Sequence, residues 1–169
     1  MSIVVPPRGT RGTELPKPVR TLIRAIEGPF HFALKRFGDR MRVQGRPLVL
    51  LETVGGKTGV TRHTVLGSFP DMTNEASAPR SVDRWLVVAS NGGSARHPGW
   101  FLNLAKEPDR VWIAKGMRRI KVRPETLRGA EREHAWQNIT SLAPGYAKYL
   151  QATDRTIPIV RLTAVEVEG

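Results

Sequence analysis

Between the apolar run Pro47–Val54 and the β-branched run Val60–Phe69 stand five residues, Gly55-Gly56-Lys57-Thr58-Gly59. Three glycines around one lysine give the backbone the freedom of a tight turn and disfavour a helix. The two runs are therefore read as strands of one hairpin. Arg110–Ala114 and Arg118–Arg123 make a second hairpin around Lys115-Gly116. Trp85–Ala89 is a short buried strand, and Ile157–Val165 is the last strand. Helices are expected over Pro98–Ala105, over Gly129–Ser141 and over Pro144–Thr153. Glu131 and Glu133 fall in the first turn of the second of these, where the helix dipole favours acid. Six strands with helices set between hairpins predict an α+β fold. It is a small, mostly antiparallel barrel with flanking helices, not a doubly wound parallel sheet.

Residues 1–46 read as an N-terminal extension to a domain spanning 47–169. Residues 1–16 are rich in Pro, Gly and Thr and are expected to be poorly ordered. Val19, Leu22, Ile23, Ile26, Phe30, Ala33, Leu34, Phe37 and Met41 then recur at helical spacing, with a kink at Gly28-Pro29. Arg20, Arg24, Lys35, Arg36, Arg40 and Arg42 fill other positions, which makes a basic amphipathic helix. Such a helix packs on its own domain or rests on a membrane surface. Met72–Val82 is polar and reads as a loop.

Several chemistries are excluded. The chain has no cysteine, so disulfides, zinc-thiolate centres, iron–sulfur clusters and thiol nucleophiles are removed. Gly56-Lys57-Thr58 lacks the earlier glycine of a phosphate-binding P-loop, since that position is Leu51, and a strand follows where a helix is required. No Gly-x-Gly-x-x-Gly occurs. His31, His63, His97 and His134 are scattered without carboxylates at metal spacing, so no metal site is expected. Ser90 has no base beside it, and no acid/base carboxylate pair is evident. A cofactor that carries its own chemistry fits better than hydrolysis. The net charge is +12, which attracts nucleic acid, anionic lipid or an anionic small ligand. Residues 1–46 carry 10 Lys/Arg against 3 Asp/Glu, and the remainder 17 against 12. The aromatic residues are not interleaved with the basic ones as in a stacking platform, so no nucleic acid is expected. No apolar run is long enough to span a bilayer, and the N-terminus has no signal-peptide core, which suits a cytoplasmic chain.

Three elements remain. Lys57 among glycines, with Arg62 on the next strand, suits a phosphate, the turn offering N–H groups and the side chains charge. Trp85–Ala89 runs into Ser90-Asn91-Gly92-Gly93 and then, through Pro98, into a helix that bears Trp100, Phe101 and Asn103. Loop amides and a helix start converging there suit a polar, planar or anionic group, and Ser90 and Asn91 both donate and accept. Tyr146 and Tyr149, the chain's two tyrosines, stand three residues apart on a short helix and suit an aromatic substrate.

Thr53-Val54-Gly55-Gly56-Lys57-Thr58-Gly59 with Arg62, the Ala89–Asn103 segment, and Gly145-Tyr146 through Thr153-Asp154-Arg155-Thr156-Ile157-Pro158 together resemble the deazaflavin-dependent nitroreductases, the F420H2-dependent quinone reductases of actinobacteria. The resemblance covers roughly Leu48 to Val160 and implies a split β-barrel of the flavin-binding type. It implies reduced coenzyme F420 as cofactor, its phosphate tail near Gly56, Lys57 and Thr58, and Arg62, His63, Thr64, Val65, Leu66 and Gly67 running beside it. Val88, Ala89, Ser90 and Asn91, with Gly99, Trp100, Phe101, Leu102 and Asn103, would hold the deazaflavin. Tyr146 and Tyr149 would line the acceptor side, Tyr146 also touching cofactor, and the proton would come from solvent or from either tyrosine. The resemblance implies a quinone, enone, nitroaromatic or similar electron-poor molecule as acceptor. Gly56 stands where the family commonly has arginine, Val65 where it often has proline, Gly67 where an aromatic residue can occur, and Ala143 where the best-known members have tyrosine. The rival readings are an FMN-dependent oxidoreductase on the same barrel and an F420-binding protein without turnover. If the acceptor is a lipid quinone, 19–41 would rest on the inner face of the plasma membrane.

Overall fold

The computed structural model describes residues 3–14, 42–43, 46–72, 83–115 and 118–168. In chain order the strands are β1 (Arg42–Val43), β2 (Arg46–Val54), β3 (Thr61–Gly67), β4 (Phe69–Pro70), β5 (Arg84–Val88), β6 (Val111–Lys115), β7 (Arg118–Thr126) and β8 (Ile159–Glu168). The helices are α1 (Gly99–Lys106), α2 (Gly129–Leu142) and α3 (Ala147–Ala152), with single 3-10 turns at Asn91–Gly93 and Pro144–Tyr146. The strands form one antiparallel sheet in the order β1-β2-β6-β7-β8-β5-β4, with β3 paired to β2. The expected helix over Val19–Met41 and most of the expected loop over Met72–Val82 lie outside the described residues.

Both hairpins form where the glycine turns placed them. The second expected strand divides at Ser68. β3 pairs with β2, Leu50 opposite Val65 and Thr53 opposite Arg62. One residue later β4 pairs with β5, Phe69 opposite Leu86. Ser68 is buried at this bend, and its N–H donates to Pro47 O at 3.0 Å. One passage of chain thus joins two parts of the sheet. The last hairpin strand also runs further than expected, through Pro124 opposite Leu162, after a register shift between Lys121 and Val122. Pro lacks the N–H a ladder uses, and such irregular places accommodate it.

The alternation along β5 explains its continuous apolarity. Trp85, Val87 and Ala89 face one core with Val49, Leu51, Phe101, Leu104, Ile113 and Val160, closed by α1. Leu86 and Val88 face a second core with Phe69, Trp136, Ile139 and Ile159, closed by α2. A strand buried on both faces has no polar face to show. Beside the second core, buried Arg161 on β8 is surrounded by Asp71, Glu125 and Glu131.

Residues 3–14 correct the expectation of a disordered start. They form a strap tied to the body by Gly9 N–H to Ala95 O at 3.0 Å and Thr13 N–H to Gly93 O at 2.9 Å. The Thr10 and Arg11 N–H groups donate to Asp154 Oδ1 at 2.9 and 3.0 Å, and the Val4 N–H to Thr126 Oγ1 at 3.1 Å. At Gly12 a Cβ would overlap the backbone of Ser94 and Ala95, so only glycine admits this close approach. Prolines and glycines that suggested disorder serve here as extended chain lying flat on a loop.

Candidate functional site

The turn between β2 and β3 sits against α1. The Thr58 and Gly59 N–H groups donate to Gly55 O at 3.0 and 2.7 Å, and the Gly55 N–H donates to Val60 O at 2.9 Å. The Gly56 N–H donates to Asn103 Oδ1 at 3.3 Å, and Asn103 Nδ2 donates to Thr53 Oγ1 at 3.2 Å. Asn103, expected to touch a ligand, therefore pins helix to turn with both ends of its amide. The amide-rich seat expected from the glycines is also corrected. The turn closes on its own carbonyls and leaves the Lys57 N–H as its one backbone donor without a partner among the described residues. An anion here meets side-chain charge instead. Lys57, Arg62 and Lys106 stand around a cavity of about 280 Å³, walled also by Gly55, Gly56, Thr58, Gly99, Leu102 and Asn103. No carboxylate among the described residues pairs with these three cations. Lys106 had no sequence signal of its own, being one lysine at the end of a helix.

The loop after β5 is held from beneath by Arg155, which is 4% exposed and faces no carboxylate among the described residues. Its Nε donates to Ser94 O at 2.7 Å, and its Nη2 to Ala89 O at 2.9 Å and Ser90 O at 2.7 Å. Its Nη1 lies 3.3 Å from His97 Nδ1, and His97 Nε2 lies 2.8 Å from Pro6 O. Burial pushes the His97 imidazolium below its ordinary value, and the charges of Arg155 and Arg8 push the same way. A neutral imidazole accepts at Nδ1 from the guanidinium and donates from Nε2 to the strap, which fixes the tautomer. Strap, histidine, arginine and loop are thus one connected network. Asn91 adopts a left-handed backbone (φ 48°) and ties the loop by donating from Nδ2 to Arg96 O at 2.9 Å. Ser90 is half-buried.

Tyr146 and Tyr149 meet as the spacing foretold, edge to face at 5.3 Å between centroids. They straddle a 3-10 turn and the start of α3 instead of one continuous helix. Phe69 closes on Tyr146 at 5.4 Å, and the Arg46 guanidinium lies over the Tyr146 ring at 5.2 Å. Burial raises the Tyr146 phenol above its ordinary value, so it keeps its proton at neutral pH. A second cavity, of about 160 Å³, is lined by Arg46, Leu142, Ala143, Pro144, Gly145, Tyr146 and Tyr149. Arg46 was not singled out in the sequence. Its position at the head of β2, two residues before Leu48, which pairs with Gly67, is what brings it here.

The two cavities have no lining residue in common. β3 relates them, with Arg62 at one end in the first and Gly67 at the other, where a Cβ would stand 3.7 Å from Tyr146 Oη. Five residue steps at the usual strand rise of about 3.3 Å separate these ends by roughly 17 Å. Thr64 and Val65 are half-buried along the strand, and Leu66 packs on the first core. His63 turns to Glu52, 3.4 Å away. Val88, Ala89, Trp100 and Phe101, expected at the ligand, bury their side chains in the two cores. Ser90 and Asn91 line neither cavity.

Residues 35–164 match the family model described as F420H(2)-dependent quinone reductase. F420H(2)-dependent quinone reductases from two strains of Mycobacterium tuberculosis are 36% identical over 145 residues, 84% of this chain and 89% of theirs. A solved structure of an F420-H2 dependent reductase (FDR-A) is 33% identical, with TM-score 0.55 over 69% of this chain and 94% of that one. A second, described as a domain-swapped dimer, is 28% identical, with TM-score 0.57 over 86% of this chain and 99% of that one.

Proposed function

This chain belongs to the F420H(2)-dependent quinone reductase family, and we propose on that footing that it uses reduced coenzyme F420 to reduce a quinone or similarly electron-poor acceptor. The observation that carries the reading is β3, paired to β2, with Lys57, Arg62 and Lys106 around one end, none ion-paired among the described residues, and a tyrosine-walled cavity at the other. F420 joins a deazaflavin ring through a phosphodiester to a glutamate tail. Lys57, Arg62 and Lys106 are the donor set such a tail requires. The Gly99–Asn103 face of α1 and the Ser90–Asn91 loop would receive the ring. We read the sheet as a six-stranded split barrel of β2, the β3–β4 passage, β5, β6, β7 and β8, and the bend at Ser68 supports this.

When bound, reduced F420 supplies a hydride. The chain's own residues orient the reactants and keep water out. Tyr146, protonated at neutral pH, donates a hydrogen bond to the acceptor oxygen and holds the proton that oxygen needs. Arg46, lining the same cavity, opposes the negative charge that forms there. Tyr149 braces Tyr146. We place the chain in the cytoplasm, with its basic 19–41 segment on the anionic inner leaflet when the acceptor is a lipid quinone. No helix among the described residues is long and apolar enough to cross a membrane.

Fluorescence titration with F420 beside FMN tests the cofactor. Saturable F420 binding that weakens with salt is expected; preference for FMN, or no saturation, refutes it. Consumption of reduced F420 in the presence of menadione distinguishes an enzyme from a carrier. Equal co-sedimentation of the full chain and a chain lacking 1–46 with anionic vesicles removes the membrane contact.

A further inference from the structure

Position 56 has no side chain, and Lys106 uses the space. A Cβ built on Gly56 would overlap the Lys106 stem, with its Cβ at 2.9 Å, its Cγ at 3.1 Å and its Cδ closer still. The aliphatic stem therefore lies close against the turn, and Lys106 lines the cavity that Lys57 and Arg62 share. Asn103, one helical turn earlier, fixes this approach by accepting from the Gly56 N–H. A lysine at the end of a helix also suits the helix dipole. That role predicts a change in stability and no change in ligand affinity.

We propose that Lys106 is a direct ligand of the cofactor's anionic tail, and that the bare Gly56 is what lets it reach. The inference rests on the F420 reading and adds a residue from α1 to a seat otherwise built by the β2–β3 turn and β3. The cation on α1 would tie the helix and the turn together across the bound anion. The tail offers both phosphodiester and carboxylates, and the probes below separate them.

The test uses the full chain, its Lys106→Ala, Gly56→Ala and combined variants, and their melting temperatures. Dissociation constants are measured for F420, for the phosphorylated form without glutamates, and for the deazaflavin alcohol lacking phosphate and tail. Lys106→Ala is expected to weaken F420 about fivefold and to leave the alcohol unchanged. A loss kept in the phosphorylated form assigns the phosphodiester; a loss seen only with glutamates assigns a carboxylate. Gly56→Ala is expected to match Lys106→Ala, because its methyl group displaces the stem, and to add little in the combined variant. Unchanged F420 affinity in Lys106→Ala, with a wild type that binds, overturns the role of Lys106 and leaves the cofactor reading intact. An equal loss for the alcohol also overturns it. Additive losses in the combined variant overturn the role given to Gly56. A wild type that binds no F420 overturns the cofactor reading itself.

Discussion

Arg155→Met separates a positioning arginine from a merely buried one. Methionine keeps much of the stem and its packing while removing every donor. Ala89 O, Ser90 O and Ser94 O then lose their guanidinium partner. Ser90 O keeps the Gly93 N–H at 2.9 Å, so two acceptors are left unsatisfied, and at the low end of about 1–3 kcal/mol each they cost about 2 kcal/mol. Removing a buried charge that faces no carboxylate among the described residues returns part of its desolvation cost, about 1 kcal/mol on the same scale. The net loss is about 1 kcal/mol, which in a chain of this size lowers the melting temperature by about 2–4 °C. Because the lost bonds converge on the loop next to α1, F420 affinity should fall as well, and amide exchange should rise over 89–97 before it rises elsewhere. Arg155→Lys keeps a charge but not the planar fork, and should recover less than half of the loss. A melting temperature within about 1 °C of wild type, together with unchanged cofactor affinity, would refute the argument, since the estimate then has no carrier.

Stability should fall as pH drops below 6.5, the ordinary histidine value, because the unfolded chain takes a proton that folded His97 resists. The loss stops growing below the folded value, and His97→Gln should flatten this part of a pH–melting curve. Tyr146→Phe should reduce kcat for quinone by about tenfold or more while leaving F420 affinity within about twofold. A kcat profile for the wild type that breaks between pH 7 and 9 from the Tyr146 proton would contradict its raised phenol. Removing residues 1–14 takes away the acceptor of His97 Nε2, and hydrogen exchange should then increase over 90–97 while β7 and β8 stay protected.

Much of the sheet was legible because glycine turns and β-branched runs act locally. The β2–β3 hairpin needs only its own residues to be recognised. The bend at Ser68 was not legible, since nothing in Val60–Phe69 says that the strand changes partner halfway; that depends on Pro47 and Leu86 arriving from elsewhere. The strap failed for a related reason. Pro and Gly composition measures what a segment cannot do alone, whereas Asp154 and Ser94 supply its order from far along the chain. At the site, charged turn residues and paired tyrosines were visible as types. Trp100 and Phe101 were visible too, but the side on which a helix buries its aromatics is decided by the sheet beneath it. Arg46 and Lys106 were invisible because each becomes part of a cavity only through a pairing or a glycine in another element.

The strap sets an order of events during synthesis. Thr10 and Arg11 leave the ribosome well before their partner Asp154, which follows 144 and 143 positions later. The loop they cover cannot be clamped while the chain is still emerging, because Arg155 has not been made. A nascent polypeptide stalled before Asp154 should therefore hold a formed first hairpin and an unlatched cofactor loop. Competence to grip a ligand would come only once Asp154 and Arg155 have emerged.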